Sequence, residues 1–407
     1  MFLVCDPIVW GSEHVPFNSA LIKIIRLAFP NDDISFYGEE SHLDNVKKQI
    51  GIEYADSIMW EKLVLPHRQS GFIKRLRSDF KIIKFILNKL NKDPQRDVLV
   101  ITGNSSLLWA LKYFLHTVHK NRNIQVILHG GLDTLVKRKS LRPHRRIGNI
   151  RTALSKFNQR HLRYIVLEES IRDAVLQRLP SLRDHIDVLD HPISLDKQPL
   201  EKNNLNLPIQ FGFLGLATEH KGFHKYINVA SEISAKFPGL ANFHVIGRVG
   251  KKYDHLNIAE MNFLSTKPGP ERLNRDQFVR LLNKLHFICL FFEDRYYEFC
   301  ASGVLLDAIA WEKPVIATQL PIFKNIEREF GDIGYLCRNG EFSETIRTIM
   351  SKVDTERYKN QVQNMRHVKR SRTPEALANK YRELVNQLKK KKKLLLLVMV
   401  DEILRML

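Results

Sequence analysis

Short, continuously apolar runs alternate with helical patterns along almost the whole chain, and the alternation starts over once near the middle. In the first half the runs Met1–Val4, Ile34–Tyr37, Val98–Thr102, Ile124–Leu128 and Tyr164–Leu167 are interleaved with helical stretches such as Ser19–Ala28, Ile73–Leu90 and Ser106–His119. Strands that are apolar on both faces belong to a parallel sheet wrapped by helices. A polar, Asn-bearing stretch follows, and the pattern then restarts with Ile209–Leu214, Phe243–Ile246, His286–Phe292, Val315–Ala317 and Ile333–Leu336. At 407 residues the chain is too long for one ordinary core. The expected class is therefore α/β, with two doubly wound Rossmann-like domains: residues 1–195, a linker over 196–208, and residues 209–370. A helix over 371–388, returning to the first domain, and a basic and apolar tail over 389–407 complete the chain. No internal repeat of short period is present.

Chemistry concentrates in Tyr296-Tyr-Glu-Phe-Cys-Ala-Ser-Gly-Val-Leu-Leu-Asp-Ala-Ile-Ala-Trp-Glu-Lys-Pro-Val-Ile-Ala-Thr318, which reads as a loop, a short helix, a turn and a buried strand. Ser302 and Gly303 fall where the helix begins, so their backbone N–H groups lack partners inside it and can face a phosphate at the positive end of the helix dipole. Asp307 lies about one turn further in, where a carboxylate can accept from ribose hydroxyls. A second stretch, Phe211-Gly-Phe-Leu-Gly-Leu-Ala-Thr-Glu-His-Lys-Gly-Phe223, runs from strand through a glycine turn at Gly215 into a Lys221-Gly loop and a helix.

Together these stretches resemble the nucleotide-sugar half of a GT-B glycosyltransferase, most similar to glycosyltransferase family 4 and related transferases of polysaccharide biosynthesis. The resemblance extends from about Gln210 to Gly334 and covers the first half only in outline. The family carries Glu, seven residues, then a second Glu on the helix. Here Leu306–Ala310 holds the place of that helix with Asp307 as its acid, whereas the first position is Phe299, with Glu298 one place earlier. The resemblance gives Glu298 the contact with the donor sugar, and Lys221 the neutralisation of charge on the departing diphosphate. Leu216 stands where the family has an arginine, which leaves Arg248 or Arg295 to substitute. A histidine closing the matching strand of the first domain touches the donor sugar in the family, which implies that role for His129. Family 4 members retain the anomeric configuration, so retention is what the resemblance implies.

In the first half, His129-Gly-Gly131 closes a very apolar strand, and its histidine either lines a cleft or holds a loop by hydrogen bonds. Gly11-Ser-Glu-His14 precedes a helix. Two readings of it stand: backbone amides and His14 turned towards an acceptor, or a plain turn. Asp133 is either an orienting partner for His129 or a member of a structural ion pair, and Asp294 and Glu298 are the acids nearest the phosphate helix. Ligands of open parallel sheets bind beyond the carboxyl ends of the strands. That rule gathers Gly11, His129, Gly215, Lys221 and Ser302 around one expected cleft. No Asp-X-Asp accompanies the second stretch and no His or Cys cluster has metal-ligand spacing. Neither a metal nor another cofactor is expected, with the nucleotide-sugar acting as co-substrate.

Charge points to the partners. The net charge is +20, and between Arg68 and Arg163 there are 22 Lys or Arg against four acids. A cationic first domain implies an anionic partner. The run Phe72–Leu90 carries Lys74, Arg75, Arg77 and Lys81 beside apolar residues, the composition of a helix lying on an anionic membrane. A dense basic stretch, Lys137–Arg146, follows, and the tail from Lys389 reads either as an anchor or as a low-complexity end. Four cysteines without paired spacing imply free thiols and a reducing cytoplasm. No run is long enough to span a bilayer, and Met1–Cys5 is too short for a secretory signal. The expected function is a bacterial glycosyltransferase, peripheral on the inner face of the cell membrane, that moves a sugar from a nucleotide donor to a lipid-linked or glycan acceptor. The rivals are a nucleotide-sugar 2-epimerase of the same fold and a non-enzymatic polyanion-binding protein. No nucleic-acid recognition motif accompanies the charge.

Overall fold

The structure is a computed structural model that describes residues 2–66, 71–90, 96–119, 122–136, 147–193, 204–253, 255–269, 271, 273–338 and 340–389. The basic stretch Lys137–Arg146, most of the expected linker, the side chains of Asp294 and Arg295 and the tail from residue 390 lie outside the described residues. The chain divides into two compact units, Met1–Ser194 with Arg372–Leu407, and Leu195–Ser371.

In the first unit seven parallel strands form one sheet: β1 (Phe2–Cys5), β2 (Ile34–Gly38), β3 (Ile58–Lys62), β4 (Asp97–Val100), β5 (Ile124–Ile127), β6 (Leu162–Val166) and β7 (Ile186–Val188). Their order is β3-β2-β1-β4-β5-β6-β7. Consecutive strands β1 to β3 run outward in one direction and β4 to β7 in the other, so the order reverses between β1 and β4. Phe2 to Cys5 are all buried, as a central strand covered by helices on both faces requires. The helix Val15–Ala28 starts earlier than expected because Pro16 fits its first turn, where a missing N–H costs nothing. A last helix over residues 374–389 returns to this unit. There Tyr381 donates its hydroxyl to Gln125 (2.9 Å) and Arg372 forks onto buried Glu168 (2.9 Å).

Six parallel strands build the second unit: β8 (Ile209–Ala217), β9 (Ala241–Val249), β10 (Leu264–Thr266), β11 (Phe287–Leu290), β12 (Val315–Thr318) and β13 (Gly334–Cys337), ordered β10-β9-β8-β11-β12-β13. The same reversal occurs, here between β8 and β11. Phe211, Phe243 and Phe287 stack across three adjacent strands with ring centroids 5.4 and 5.9 Å apart. Tyr226 is fully buried beside them, and its hydroxyl meets the carbonyl of His244 at 2.9 Å.

Candidate active site

In the second unit the loop after β8 and the helix Gly303–Ala310 after β11 flank the point where strand order reverses, the position at which open α/β sheets bind ligands. Gly222 begins the helix Phe223–Lys236 at φ 71°, and a Cβ there would lie 1.9 Å from the Phe291 carbonyl oxygen, so only glycine lets the loop cross so close to β11. The preceding Lys221 turns its ammonium back over Gly215. Its Nζ is 3.0 Å from where a Cβ of Gly215 would stand, and Val304 of the facing helix borders the same spot. Burial holds the Lys221 pKa below the ordinary lysine value, opposed by the nearby Asp307 carboxylate.

Ser302 caps the helix, its Oγ accepting from the Leu305 amide at 3.3 Å. The Gly303 and Val304 amides meet no acceptor among the described residues, and the space above Gly303 is open. One ammonium and the N-terminus of a helix with two N–H groups unsatisfied among the described residues therefore border the same point above Gly215, an arrangement suited to a diphosphate. Asp307, one turn further along, is half-buried with Arg275 at 3.7 Å. Arg275 opens the helix Arg275–Asn283 behind a capping box from Asn274 to Gln277. Its place beside the acid was not legible in the sequence, because α/β topology, not spacing, brings the start of that helix to the carboxyl edge.

Glu298 lies half-buried in the turn after the short helix Asp294–Tyr297 and is engaged with other groups. Phe299, in the place the resemblance gives to an acid, is buried in the core. Arg248 is exposed near the end of β9, opposite Leu216 in the β8 register and bridged through its backbone to Gly269. His220 stacks on Tyr296 with centroids 4.7 Å apart, which joins the Lys221 loop to the acidic loop.

The first unit gathers three imidazoles. His14 sits in a left-handed conformation, φ 54°, at the start of its helix and stacks on His129 at 4.3 Å. Phe17 and His191 close in on His129 at 4.2 and 5.3 Å. Burial, with the neighbouring His191 and His14 rings, holds the His129 pKa well below the usual imidazole range, and burial pushes His191 down to about 3. His129 and His191 are therefore neutral at pH 7, able to exchange hydrogen bonds with hydroxyls but not to carry charge. His129 Nδ1 is buried without a hydrogen-bond partner, so Asp133 does not orient the ring through that atom.

Gly11 is held from below. Its carbonyl accepts from His42 Nδ1 at 2.9 Å, its amide donates to Glu39 at 3.3 Å, and His42 Nε2 takes a bond from Asn18, which also donates to buried Asp6 at 2.9 Å. No spacing in the sequence links Asp6, Asn18 and His42. They meet because β1, its helix and the helix Glu40–Ile50 converge at one edge.

No family model matches the sequence, and no curated protein is significantly similar to it. Solved structures match across nearly the full length. A glycosyltransferase from Rickettsia africae is 13% identical over 96% of this chain and 98% of that one, with a TM-score of 0.65. Sucrose-phosphate synthase from Thermosynechococcus elongatus is 13% identical over 96% and 99%, with a TM-score of 0.62. HepE of Anabaena, solved with UDP and glucose, is 14% identical over 95% and 100%, with a TM-score of 0.61. The chain has the GT-B glycosyltransferase fold. At such identity the likeness is one of architecture. Within this GT-B chain no group of three or more His, Cys, Asp and Glu side chains is placed to hold a metal ion among the described residues. Nor is any described helix long and apolar enough to cross a membrane.

Proposed function

We propose that this protein is a glycosyltransferase that moves a sugar from a nucleotide-sugar donor to a lipid-linked or glycan acceptor in cell-surface polysaccharide or lipopolysaccharide assembly. The observation that carries the proposal is the Lys221 ammonium set against the open N-terminus of Gly303–Ala310 at the strand reversal of the second sheet. In transfer, the bond from the anomeric carbon to the diphosphate oxygen breaks and a bond to the acceptor hydroxyl oxygen forms, with loss of the hydroxyl proton. The negative charge that grows on the diphosphate falls where Lys221 and the Gly303 and Val304 amides stand, and stabilising it lowers the barrier. With that cation and helix terminus in place, the reaction proceeds without a divalent metal. Asp307 would take the ribose, and His129 and His14 of the first unit the sugar and acceptor hydroxyls. The family 4 resemblance supports retention of configuration, and Glu298 and Arg248 are assigned to the donor on that resemblance.

The acceptor side rests on charge. Lys74, Arg75, Arg77 and Lys81 lie on the helix Phe72–Lys89, with Ile73 and Phe85 exposed beside them, a composition that suits peripheral association with the inner face of a bacterial membrane. A panel of nucleoside diphosphates and their sugars tests the central reading. At least one member should raise the unfolding midpoint of the wild type and not of Lys221→Ala, since a ligand that binds the native state stabilises it. Transfer from that donor should persist in EDTA. A wild type indifferent to the whole panel at millimolar concentration would sink the proposal, and loss of transfer in EDTA with rescue by Mg²⁺ would remove its metal-free part.

A further inference from the structure

A pocket of about 670 Å³ opens in the first unit where the chain leaves β3 and passes the helix Phe72–Lys89. It stands at the carboxyl edge of the sheet, two strand spacings from β1, or about 10 Å. Its lining divides by chemistry. Leu65 and Ile82 are buried and form an apolar floor, with Phe85 at the side 44% exposed and Val64 at the mouth 92% exposed. Lys62, Lys74, Arg77 and Lys81 ring the same space. Lys62 reaches Glu40 at 2.5 Å, but Lys74, Arg77 and Lys81 have no ion-pair partner among the described residues.

Charge of one sign is gathered on this side of the helix. Lys74 falls in the first turn of the helix, where the dipole already places partial positive charge, and Arg77 follows three residues on. The N-cap is Gly71, with no side-chain cap, and the first turn holds no acid. Like charge gathered around an apolar floor suits a ligand that carries an anion next to hydrocarbon. An inorganic anion would satisfy the charges and leave the wall wet, whereas a neutral lipid would do the opposite.

We infer that this pocket takes the phosphate and adjoining hydrocarbon of a single anionic, phosphate-bearing lipid. Its role as the subsite for a lipid-linked acceptor rests on the glycosyl-transfer reading above. The phosphate lies among Lys74, Arg77 and Lys81, and the first carbons of the chain lie over Phe85 and Leu65.

Calorimetric titration of the full chain with dihexanoylphosphatidylglycerol, kept below its micelle concentration, tests this without a bilayer. The lipid should bind one to one, roughly tenfold or more tighter than either glycerol 1-phosphate or dihexanoylphosphatidylcholine. Val64→Asp, at a position too exposed to disturb folding, should weaken binding about tenfold, and so should the pair Arg77→Gln with Lys81→Gln. Equal affinity for glycerol 1-phosphate, equal affinity for the zwitterionic lipid, absence of saturable binding, or binding unchanged in both variants would each overturn the inference. Nucleoside diphosphate stabilisation, measured on the same proteins, separates the two proposals. A chain that responds to nucleotide and ignores the lipid loses only the pocket, and one that takes the lipid and ignores every nucleotide loses only the reaction.

Discussion

Lys221 is close enough to Asp307 to feel its charge and buried enough to lose part of its own hydration. An ammonium held in this way changes little when the ligand arrives and meets new charge without reorganising, which is how preorganised groups favour a transition state. Removing one such group typically costs about 10²- to 10³-fold in kcat. Lys221→Ala should therefore lower kcat by about 100-fold while shifting the unfolding midpoint by only a few degrees. Turnover equal to wild type at saturating donor would strike Lys221 from the mechanism. His129 calls for a different comparison, because its half-buried ring lies among His14, Phe17 and His191 in the other unit. In His129→Ala transfer should fall while affinity for the nucleoside diphosphate stays within about twofold. A variant that binds and transfers normally would make the ring a packing element only. The positions of some of these residues are legible in the sequence. Lys221, Ser302 and Gly303 follow from one strand-loop-helix pattern each, whereas Arg275 and the Asp6, Asn18 and His42 set depend on which strands become neighbours.

Among the elements, the helix Ser105–Thr117 carries a lysine in an unusual place. Lys112 is buried and donates to the carbonyls of Ala153 and, at 2.5 Å, Lys156, which close the helix Ile150–Ser155. With no acid beside it, burial pushes its pKa from 10.5 down to about 7. Between those two values the unfolded chain holds the proton and the folded chain has lost it, so stability rises as pH increases from about 7 towards 10. Unfolding free energies measured across that range should show the rise in wild type and a flatter profile in Lys112→Met. Identical profiles would mean that the amine keeps its proton inside the fold. Lysine at an otherwise apolar helix position gave no sign of this in the sequence. Strands were legible where they are central and apolar, as with β1, β5, β8 and β12. The edge strands β3, β7 and β10 are not legible in the sequence: β3 exposes Met59, Glu61 and Lys62 and so lacks the two-sided apolar run, and β7 and β10 are only three residues long.

Across the whole molecule the backbone passes from one unit to the other twice, after Ser194 and again after Ser371, so that Leu195–Ser371 is an insertion within the first unit. What returns at the end is structural. Tyr381 is fully buried, Arg382 donates to the Leu27 and Ala28 carbonyls at 3.0 and 2.7 Å and so closes the helix Val15–Ala28, and Lys380 meets Asp190 at 2.7 Å. A chain ended after Ser371 would also leave Glu168 buried without Arg372, a loss of about 3–5 kcal/mol. It should unfold in two steps, the lower one belonging to the first unit, while the nucleotide response of the second survives. A single transition at the wild-type midpoint would contradict this. The order of completion on the ribosome is reversed as a result. At about 5–20 residues per second, the first sheet waits roughly ten seconds or more for the helix that covers Gln125. The second unit can close in that interval. The half of the chain made first is thus finished last, and a nascent chain of this kind spends its longest exposed period with the apolar faces of β1 and β5 uncovered, where a holding chaperone would matter most.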